Sequence, residues 1–272
     1  MKILVLGAGG MLGRDVARLA GPSAAALDRL GCDVTDAGAV ASAVDRARPD
    51  VVVNCAAWTD VDGAEAEPGA ALAVNEVGAA NAATAAADAG AAVVYVSSDY
   101  VFDGEKREPY VESDPTNPLS SYGRSKLAGE RATAAANPRH FIVRSSWLFG
   151  EGGRNFVSTM LSIERDELRV VDDQVGCPTY TPHLAEGVLR LVESNDHGVH
   201  HMAGDGQCSW YELARAAFER AGVERSVTPC TTGEFPRPAP RPAWSVLRSE
   251  RPNAIELPHW QAGLDAFLGV RA

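Results

Sequence analysis

The sequence is poor in cysteine and shows neither a disulfide framework nor a metal-binding pattern. Its five cysteines are scattered, odd in number and without a C-x-x-C pair, which indicates reduced structural thiols. The six histidines also lack the spacing of metal ligands, and the adjacent His200 and His201 would point to opposite faces of a strand. We therefore expect no metal site.

Long apolar runs and an excess of basic residues are absent as well. No apolar stretch approaches the length of a membrane span, and no signal-like segment follows Met1-Lys2. The 25 Lys and Arg residues are outnumbered by 36 Asp and Glu residues, for a net charge of -11, which repels polyanions. We expect a cytoplasmic protein that binds neither nucleic acid nor membranes.

The sequence does contain a regular alternation of strand-type and helix-type segments. Short apolar runs, typical of strands buried on both faces of a parallel sheet, occur at 2–6, 24–27, 51–55, 92–96 and 140–144. Their alternation with helices predicts an α/β fold with a Rossmann-type doubly wound parallel sheet. We expect residues 1–150 to form the dinucleotide-binding domain with the catalytic residues. Residues 151–272 should form mainly a smaller C-terminal substrate-binding lobe, with some segments returning to the Rossmann core.

A glycine pattern follows the first strand. Gly7, Gly10 and Gly13 are spaced three apart between that strand and a helical run. Glycines in this position let the backbone approach a pyrophosphate, which binds at the helix N-terminus. The pattern predicts a dinucleotide cofactor.

Two neighbouring residues after the second strand favour different cofactors. Asp28 would bind the ribose hydroxyls of NADH, whereas Arg29 would neutralise the 2′-phosphate of NADPH. We expect both cofactors to work, with a modest preference for NADPH. Asp33 is placed either to face the adenine or to cap a helix that begins near Asp36.

The segment from Ser97 to Lys126 carries the candidate catalytic residues. Tyr122 and Lys126 are four residues apart and so share one helix face. An ammonium beside the phenol would lower the phenol pKa from about 10 toward neutral. With the hydroxyl of Ser98 at a strand end, this set would protonate a carbonyl oxygen that accepts a hydride at its carbon. The alternative is a helix start with an exposed Tyr and Lys.

Two further segments have open interpretations. Trp147 follows a strand and either offers an aromatic face to a substrate or is a partly buried core residue. The proline-rich segment 235–242 is either an inert linker or a rigid loop whose arginines bind a diphosphate.

These segments together resemble the extended short-chain dehydrogenase/reductase family, in its dTDP-4-dehydrorhamnose reductase branch. The motifs are Gly7-x-x-Gly10-x-x-Gly13, Ser98-Asp-Tyr-Val-Phe-Asp-Gly104, Tyr122-x-x-x-Lys126, Arg144-x-Ser-Trp147 and Asp173-Gln-x-Gly-x-Pro-Thr179. The resemblance implies reduction of the 4-keto group of a dTDP-linked 4-keto-6-deoxyhexose by NADPH or NADH, the last step toward dTDP-L-rhamnose.

The resemblance also assigns roles to individual residues. Tyr122 is the proton donor and Lys126 its partner, and both are also expected to contact the cofactor, Lys126 at the nicotinamide ribose. Ser98 stands where the family usually has Thr. Ser98, Asp99 and Trp147 match contacts of the sugar nucleotide. The positions that match the cofactor site are Gly10, Met11, Leu12, Asp28, Asp33, Val34, Ala57, Trp58 and Thr59.

One departure concerns metal. Some members hold Mg²⁺ between subunits with glutamates, but the aligned positions here carry Asp15, Pro182 and Gly269. A metal-bridged dimer is therefore in doubt, and we expect a monomer or a weak homodimer.

Three other functions are alternatives for a sequence with these motifs. A sugar-nucleotide dehydratase would need a second carboxylate after Asp99, and Tyr100 stands there instead. A 4-ketoreductase for another dTDP-deoxysugar would carry the same motifs and stays open. A non-catalytic relative of the regulatory subunit of methionine adenosyltransferase also stays open, although the hydroxyl, Tyr and Lys set is intact.

Overall fold

A computed structural model of the chain describes residues 1–269, which form a six-stranded parallel sheet and several two-stranded sheets. The strands are β1 Ile3–Leu6, β2 Ala24–Leu27, β3 Val51–Asn54, β4 Ala92–Ser98, β5 His140–Ser145, β6 Leu148–Phe149, β7 Glu167–Val171, β8 Val175–Gly176, β9 Thr179–Tyr180, β10 Gly198–His201, β11 Cys208–Ser209 and β12 Ser226–Cys230. None of the helices in this part of the chain combines the length and the apolar character that a membrane crossing requires.

Helices cover both faces of the main sheet. They are α1 Met11–Ala20, α2 Ala37–Ala47, α3 Gly63–Ala66, α4 Pro68–Leu72, α5 Gly78–Asp88, α6 Ser121–Ala136, α7 Phe156–Ser162, α8 Thr181–Val192, α9 Trp210–Ala221 and α10 Trp260–Leu268. A π-helical turn, Ala73–Val77, joins α4 to α5, and 3-10 turns lie at Gly21–Ser23, Asp99–Val101 and Thr232–Glu234.

The strand order of the main sheet is β10-β5-β4-β3-β1-β2, with every pair parallel. This confirms the predicted Rossmann-type doubly wound α/β fold. The chain leaves β1 first toward β2 and later adds β3 on its other side. Sheets of this kind bind ligands at the carboxyl ends of the strands where the direction of winding changes. In this sheet the winding changes direction between β1 and β3, so the expected binding site lies between Gly7, after β1, and Cys55, after β3.

Two apolar layers enclose the sheet because its strands are buried on both sides. Side chains such as Val5 and Val53 face the layer that contains α1 and α8. Side chains such as Leu4 and Val52 face the layer that contains α2 and α5. This two-sided burial explains why the strands appear in the sequence as continuous apolar runs.

The C-terminal part of the chain is not an independent lobe. Strand β10 adds the sixth strand by pairing with β5, and α8 packs Leu184 and Val188 into the same apolar layer as Val16 of α1. The remaining helices α7, α9 and α10 enclose smaller apolar clusters with the short sheets. Segments after residue 150 therefore belong to the main sheet, while the boundary at residue 150 itself stays a prediction.

Candidate active site

The loop between β1 and α1 has a backbone that only glycine allows at two positions. Gly7 has a φ of 76°, and a Cβ atom there would lie 2.5 Å from the backbone nitrogen of Ala56. A Cβ atom on Gly13 would collide with the carbonyl oxygen of Gly7. Gly10 is the N-cap of α1 and has no side chain to cap the helix. The first backbone N–H groups of α1 are therefore available to an anion. The loop therefore fits a pyrophosphate.

A groove of about 370 Å³ runs along the carboxyl ends of β1, β2 and β3. Seven predicted cofactor residues line it: Gly7, Gly10, Asp28, Asp33, Val34, Ala57 and Trp58. The size and position of the groove fit the adenosine half of a dinucleotide.

The acidic residues of this groove have defined local partners. The Asp28 carboxylate accepts a hydrogen bond from Gly31 N at 2.9 Å, and Asp33 accepts from the backbone and hydroxyl of Thr35. Helix α2 is capped by Asp36, so the alternative in which Asp33 caps it is wrong. Arg29 is exposed and lies 3.8 Å from Asp33.

Four predicted cofactor residues lie elsewhere. Met11, Leu12 and Gly13 form the first turn of α1, where the Leu12 side chain is buried in the core. Thr59 is exposed after β3. Leu12 and Gly13 therefore offer only backbone groups to a cofactor, whereas the partly exposed Met11 and the exposed Thr59 can also offer their side chains.

Helix α6 presents the candidate catalytic residues to the end of β4. Ser120 caps the helix by accepting a hydrogen bond from Gly123 N, and Ser98 is the last residue of β4. The Tyr122 ring meets the ring of Tyr100 edge-on, with centroids 5.7 Å apart. The Ser98 hydroxyl also lies close enough to the Tyr122 phenol to shift its pKa, so the structure brings these two residues together.

The pKa values of the Tyr–Lys pair are shifted mainly by burial. Part of the Tyr122 ring reaches the surface, but burial raises the pKa of Tyr122 to about 12, with Ser98 opposing and Asp99 adding to the rise. Burial lowers the pKa of Lys126 to about 7, with Glu130 and Cys55 opposing. The prediction that Lys126 brings the phenol pKa toward neutral is therefore wrong. A phenol that keeps its proton at neutral pH is suited to act as a general acid.

Lys126 takes its partners from β4. Its Nζ donates a hydrogen bond to Val96 O at 2.6 Å and lies 4.3 Å from the centre of the Tyr95 ring. One turn further along α6, Glu130 forms two hydrogen bonds with Arg144 of β5 at 2.9 and 2.7 Å. This buried ion pair fixes α6 against the sheet, and with it the position of Tyr122.

Asp99 follows Ser98, the candidate catalytic serine, and its carboxyl is buried. It is 2% exposed, and its Oδ1 accepts a hydrogen bond from the Ser98 hydroxyl at 2.9 Å. Burial raises the pKa of Asp99 to about 6, although hydrogen bonds from Ser245, Ser98 and Ser146 oppose the rise. Burial of its carboxyl leaves little surface for a direct ligand contact.

Trp147 is held in an unusual conformation after β5. Its φ is 47°, and its ring stacks on Trp210 with centroids 3.4 Å apart. A Cβ atom on Gly176 would lie within 2.8 Å of three atoms of the Trp147 indole. One face of the Trp147 ring is covered by Trp210, but the residue as a whole is only partly buried.

Sequence reasoning missed two polar residues at the site. Asn75, in the π-helical turn, is 0% exposed and binds the backbone of Trp58 through both its amide oxygen and its amide nitrogen. It also donates to Ser125 of α6 at 2.9 Å. Asp62 binds the proline-rich segment. The only signal for Asn75 was that it is one of two asparagines in an alanine-rich helical region.

The positions that align with metal ligands elsewhere are otherwise engaged. Asp15 accepts a hydrogen bond from Thr181 at 2.7 Å and pairs with Arg18. Pro182 has no ligand atom and lies in the first turn of α8. Within residues 1–269, no three His, Cys, Asp or Glu side chains cluster closely enough to hold a metal ion.

The glycine loop, the groove and the Tyr–Lys helix beside a serine define a nucleotide-dependent reductase of the short-chain dehydrogenase type. The family model described as the RmlD substrate binding domain matches residues 1–271. The chain belongs to this family, which confirms the resemblance seen in its motifs.

Three similar proteins illustrate the relationship. A dTDP-4-dehydrorhamnose reductase of Streptomyces griseus is 45% identical over 96% of this chain and 91% of its own length. A dTDP-4-keto-6-deoxy-D-glucose reductase of Streptomyces niveus is 42% identical over 96% of this chain and 94% of its own. The crystal structure of a dTDP-4-dehydrorhamnose reductase of Bacillus anthracis in complex with NADP has a TM-score of 0.96 and 37% identity, covering 100% of both chains.

Proposed function

We propose that this chain reduces the 4-keto group of dTDP-4-dehydrorhamnose to give dTDP-L-rhamnose, using NADPH or NADH. The observation that carries the proposal is that Ser98, at the end of β4, lies close to Tyr122, in the first turn of α6. Both lie at the carboxyl edge of the sheet along which the dinucleotide groove runs. The names of the relatives from S. griseus and B. anthracis support the same reaction and a nicotinamide cofactor.

The cofactor fits the residues present, because the glycine loop lets its pyrophosphate approach α1 and the groove receives its adenosine. When bound, it supplies the hydride that C4 of the sugar accepts. Tyr122 donates its proton to the keto oxygen as negative charge develops there. Ser98 positions that oxygen with its hydroxyl. Lys126, whose amino group is fixed by the Val96 carbonyl, also binds the cofactor.

We infer that the residues proposed to bind substrate act in two ways. Ser98 and Trp147 contact the sugar nucleotide directly. Asp99 acts through Ser98, because its carboxyl is buried and receives the Ser98 hydroxyl. The roles of Gly7, Gly10, Asp28, Asp33, Val34, Ala57 and Trp58 in cofactor binding belong to the same proposal.

A second candidate substrate is favoured by one observation. The S. niveus relative, at 42% identity, is named for dTDP-4-keto-6-deoxy-D-glucose, which carries the same 4-keto group. Turnover of this compound and of dTDP-4-dehydrorhamnose by the purified protein, each with NADPH, tests both. We expect the higher kcat/KM for dTDP-4-dehydrorhamnose. The opposite ranking would favour the second substrate, and no turnover of either would favour a binding protein.

We also propose that the protein acts in the cytoplasm as a monomer or a weak homodimer, without nucleic acid or membrane partners. Its net charge of -11 supports the absence of polyanionic partners. Sedimentation equilibrium across a range of protein concentrations tests the oligomeric state.

A further inference from the structure

The proline-rich stretch and the residues after it form a strap, defined here as residues 237–245, that joins the C-terminal part of the chain to the Rossmann sheet. Near the middle of the strap, Pro242 and Ala243 lie close to Gly104. A Cβ atom added to Gly104 would be 2.6 Å from the Cβ atom of Pro242. Near the end of the strap, Ser245 N donates to Val175 O at 2.8 Å. The strap therefore passes over the loop that follows β4.

The beginning of the strap is bound by a single carboxylate, that of Asp62. Arg237 donates to Asp62 Oδ2 through Nε at 2.9 Å and Nη2 at 2.5 Å. Arg241 donates to both carboxylate oxygens at 3.0 and 3.1 Å, and Ala239 N donates to Oδ1 at 3.1 Å. Five hydrogen bonds from three strap residues thus converge on one side chain.

This contact is partly shielded from water. The side chains of Arg241 and Asp62 are 15% and 17% exposed, so the pair is screened less than a surface ion pair. Burial opposes ionisation, but the hydrogen bonds from Arg241, Ala239 and Arg237 lower the pKa of Asp62 to about 2. The guanidinium groups of Arg237 and Arg241 carry two positive charges and the Asp62 carboxylate carries one negative charge, so the cluster has a net charge of +1.

The strap reaches the catalytic tyrosine through Tyr100. Burial raises the pKa of Tyr100, and both Arg241 and Asp62 lie close enough to shift it in opposite directions. The Tyr100 ring in turn packs edge-on against Tyr122. At the other end of the strap, Ser245 lies close to the buried Asp99, which accepts the Ser98 hydroxyl. The strap is therefore anchored on the Asp62 carboxylate at its beginning and on the Val175 carbonyl, close to Asp99, at its end.

The composition of the strap makes these anchors effective. Pro238, Pro240 and Pro242 alternate with other residues and fix every second φ angle near -65°. A stiff segment loses little entropy on ordering, so fixing two points sets the conformation between them.

We propose that Asp62 is a positioning residue for the sugar-nucleotide site. Its carboxylate holds Arg241 and the strap in place beside Tyr100 and Tyr122. Arg241 presents its remaining positive charge toward the substrate, and Asp62 sets where that charge lies. This inference rests on the proposed function, because the substrate it concerns is the sugar nucleotide.

Asp62→Asn tests the proposal, because it keeps the side-chain volume and removes the charge. We expect KM for the sugar nucleotide to rise about tenfold or more, the effect of losing hydrogen bonds to a charged group. The kcat should change less than about threefold and the Kd of NADPH should stay constant. Asp60→Asn is the matched control, since Asp60 lies in the same loop and caps Gly63 N. Asp62→Glu should restore part of the lost affinity.

A second measurement needs no substrate. Hydrogen exchange of the free protein should be faster at the amides of residues 239–245 in Asp62→Asn than in the wild type or in Asp60→Asn. Combining Asp62→Asn with Arg241→Gln should raise KM no further than Arg241→Gln alone, because the two residues act as one unit.

Two results would overturn the proposal. One is unchanged hydrogen exchange of the strap in Asp62→Asn. The other is a lower KM for the sugar nucleotide with a higher kcat, which would mean that the contact between Asp62 and the strap restrains turnover. If the wild type reduces no sugar nucleotide, the proposed function fails, yet the exchange experiment still decides whether Asp62 holds the strap.

Discussion

The Ser98 hydroxyl donates its hydrogen to Oδ1 of Asp99 at 2.9 Å, so a buried carboxylate orients the candidate catalytic serine. While this hydrogen bond is present, the Ser98 hydroxyl can accept further hydrogen bonds but cannot donate one to another group. Ser98 must therefore redirect its hydroxyl to bind a keto oxygen, and the protonation of Asp99 controls how readily it does so.

The first prediction concerns the stability of the protein against pH. The folded-state pKa of Asp99 is raised from 3.8 to about 6, so the ionised carboxylate destabilises the fold above pH 6. This cost disappears as the pH falls through 6 toward 4. Between pH 8 and pH 5 the wild type should gain about 1.4 kcal/mol relative to Asp99→Asn. Urea unfolding of both proteins at each pH measures the difference. A difference that is constant with pH would show that Asp99 does not titrate in this range.

The second prediction concerns the proton donor. Tyr122→Phe removes only the hydroxyl and should lower kcat by roughly two to four orders of magnitude, the usual worth of general acid catalysis. The Kd of NADPH should remain nearly unchanged. Ser98→Ala should lower kcat less, and Lys126→Met should impair both kcat and cofactor binding. Near-normal kcat in Tyr122→Phe, with hydride transfer shown to be rate-limiting, is the outcome that would exclude this role.

The third prediction concerns cofactor choice. Arg29 is 87% exposed at its side chain and only weakly paired with Asp33, so its guanidinium is available to a 2′-phosphate. Arg29→Ala should raise KM for NADPH by roughly tenfold, the worth of one charge-assisted hydrogen bond, and leave KM for NADH unchanged. Steady-state kinetics with each cofactor provide the measurement. Equal loss with both cofactors would mean that Arg29 does not contact the phosphate.

The fourth prediction separates substrate binding from packing at Trp147. Trp147→Ala and Trp210→Ala both remove the ring stack and should each destabilise the fold by about 2 kcal/mol. Only Trp147→Ala should also raise KM for the sugar nucleotide, by about three- to tenfold, with cofactor affinity unchanged. Thermal unfolding and kinetics of the two variants distinguish the effects. If the variants differ in neither KM nor stability, Trp147 is a packing residue.

The fifth prediction concerns metal removal. The Asp15 carboxylate is already bonded to Thr181 and Arg18, and Pro182 offers no ligand atom. Activity and sedimentation should therefore be unchanged after treatment with EDTA. Loss of activity that Mg²⁺ restores would contradict this and would direct attention to Glu186, Glu193 and Asp265.

Strands β1, β3, β4 and β5 could be predicted because each is a continuous apolar run buried on both faces. Strand β2 was predicted with its observed bounds from its apolar run, although it is an edge strand with two exposed residues. Strand β10 gave a weaker signal, since it ends in His200 and His201. These histidines are buried because their rings hydrogen-bond to backbone oxygens. Two-residue strands such as β6 and β8 have no periodic pattern.

The candidate site was predicted in position but not in its electrostatics. Spacing of four residues places Tyr122 and Lys126 on one face of α6, yet it does not determine where a flexible ammonium goes. The Val96 carbonyl binds Lys126, and burial then dominates both pKa values. The anchor at Asp62 depends on residues about 180 positions away in the chain, and local sequence patterns carry no such information.

The return of β10 and α8 to the first domain sets a limit on exchanging parts between relatives. A hybrid joined at residue 150 would combine the sheet of one protein with the sixth strand and a covering helix of another. Leu184 and Val188 would then have to fit against a foreign Val16. Homologous recombination within this family should therefore yield folded hybrids only when α1, β5, α8 and β10 are inherited together.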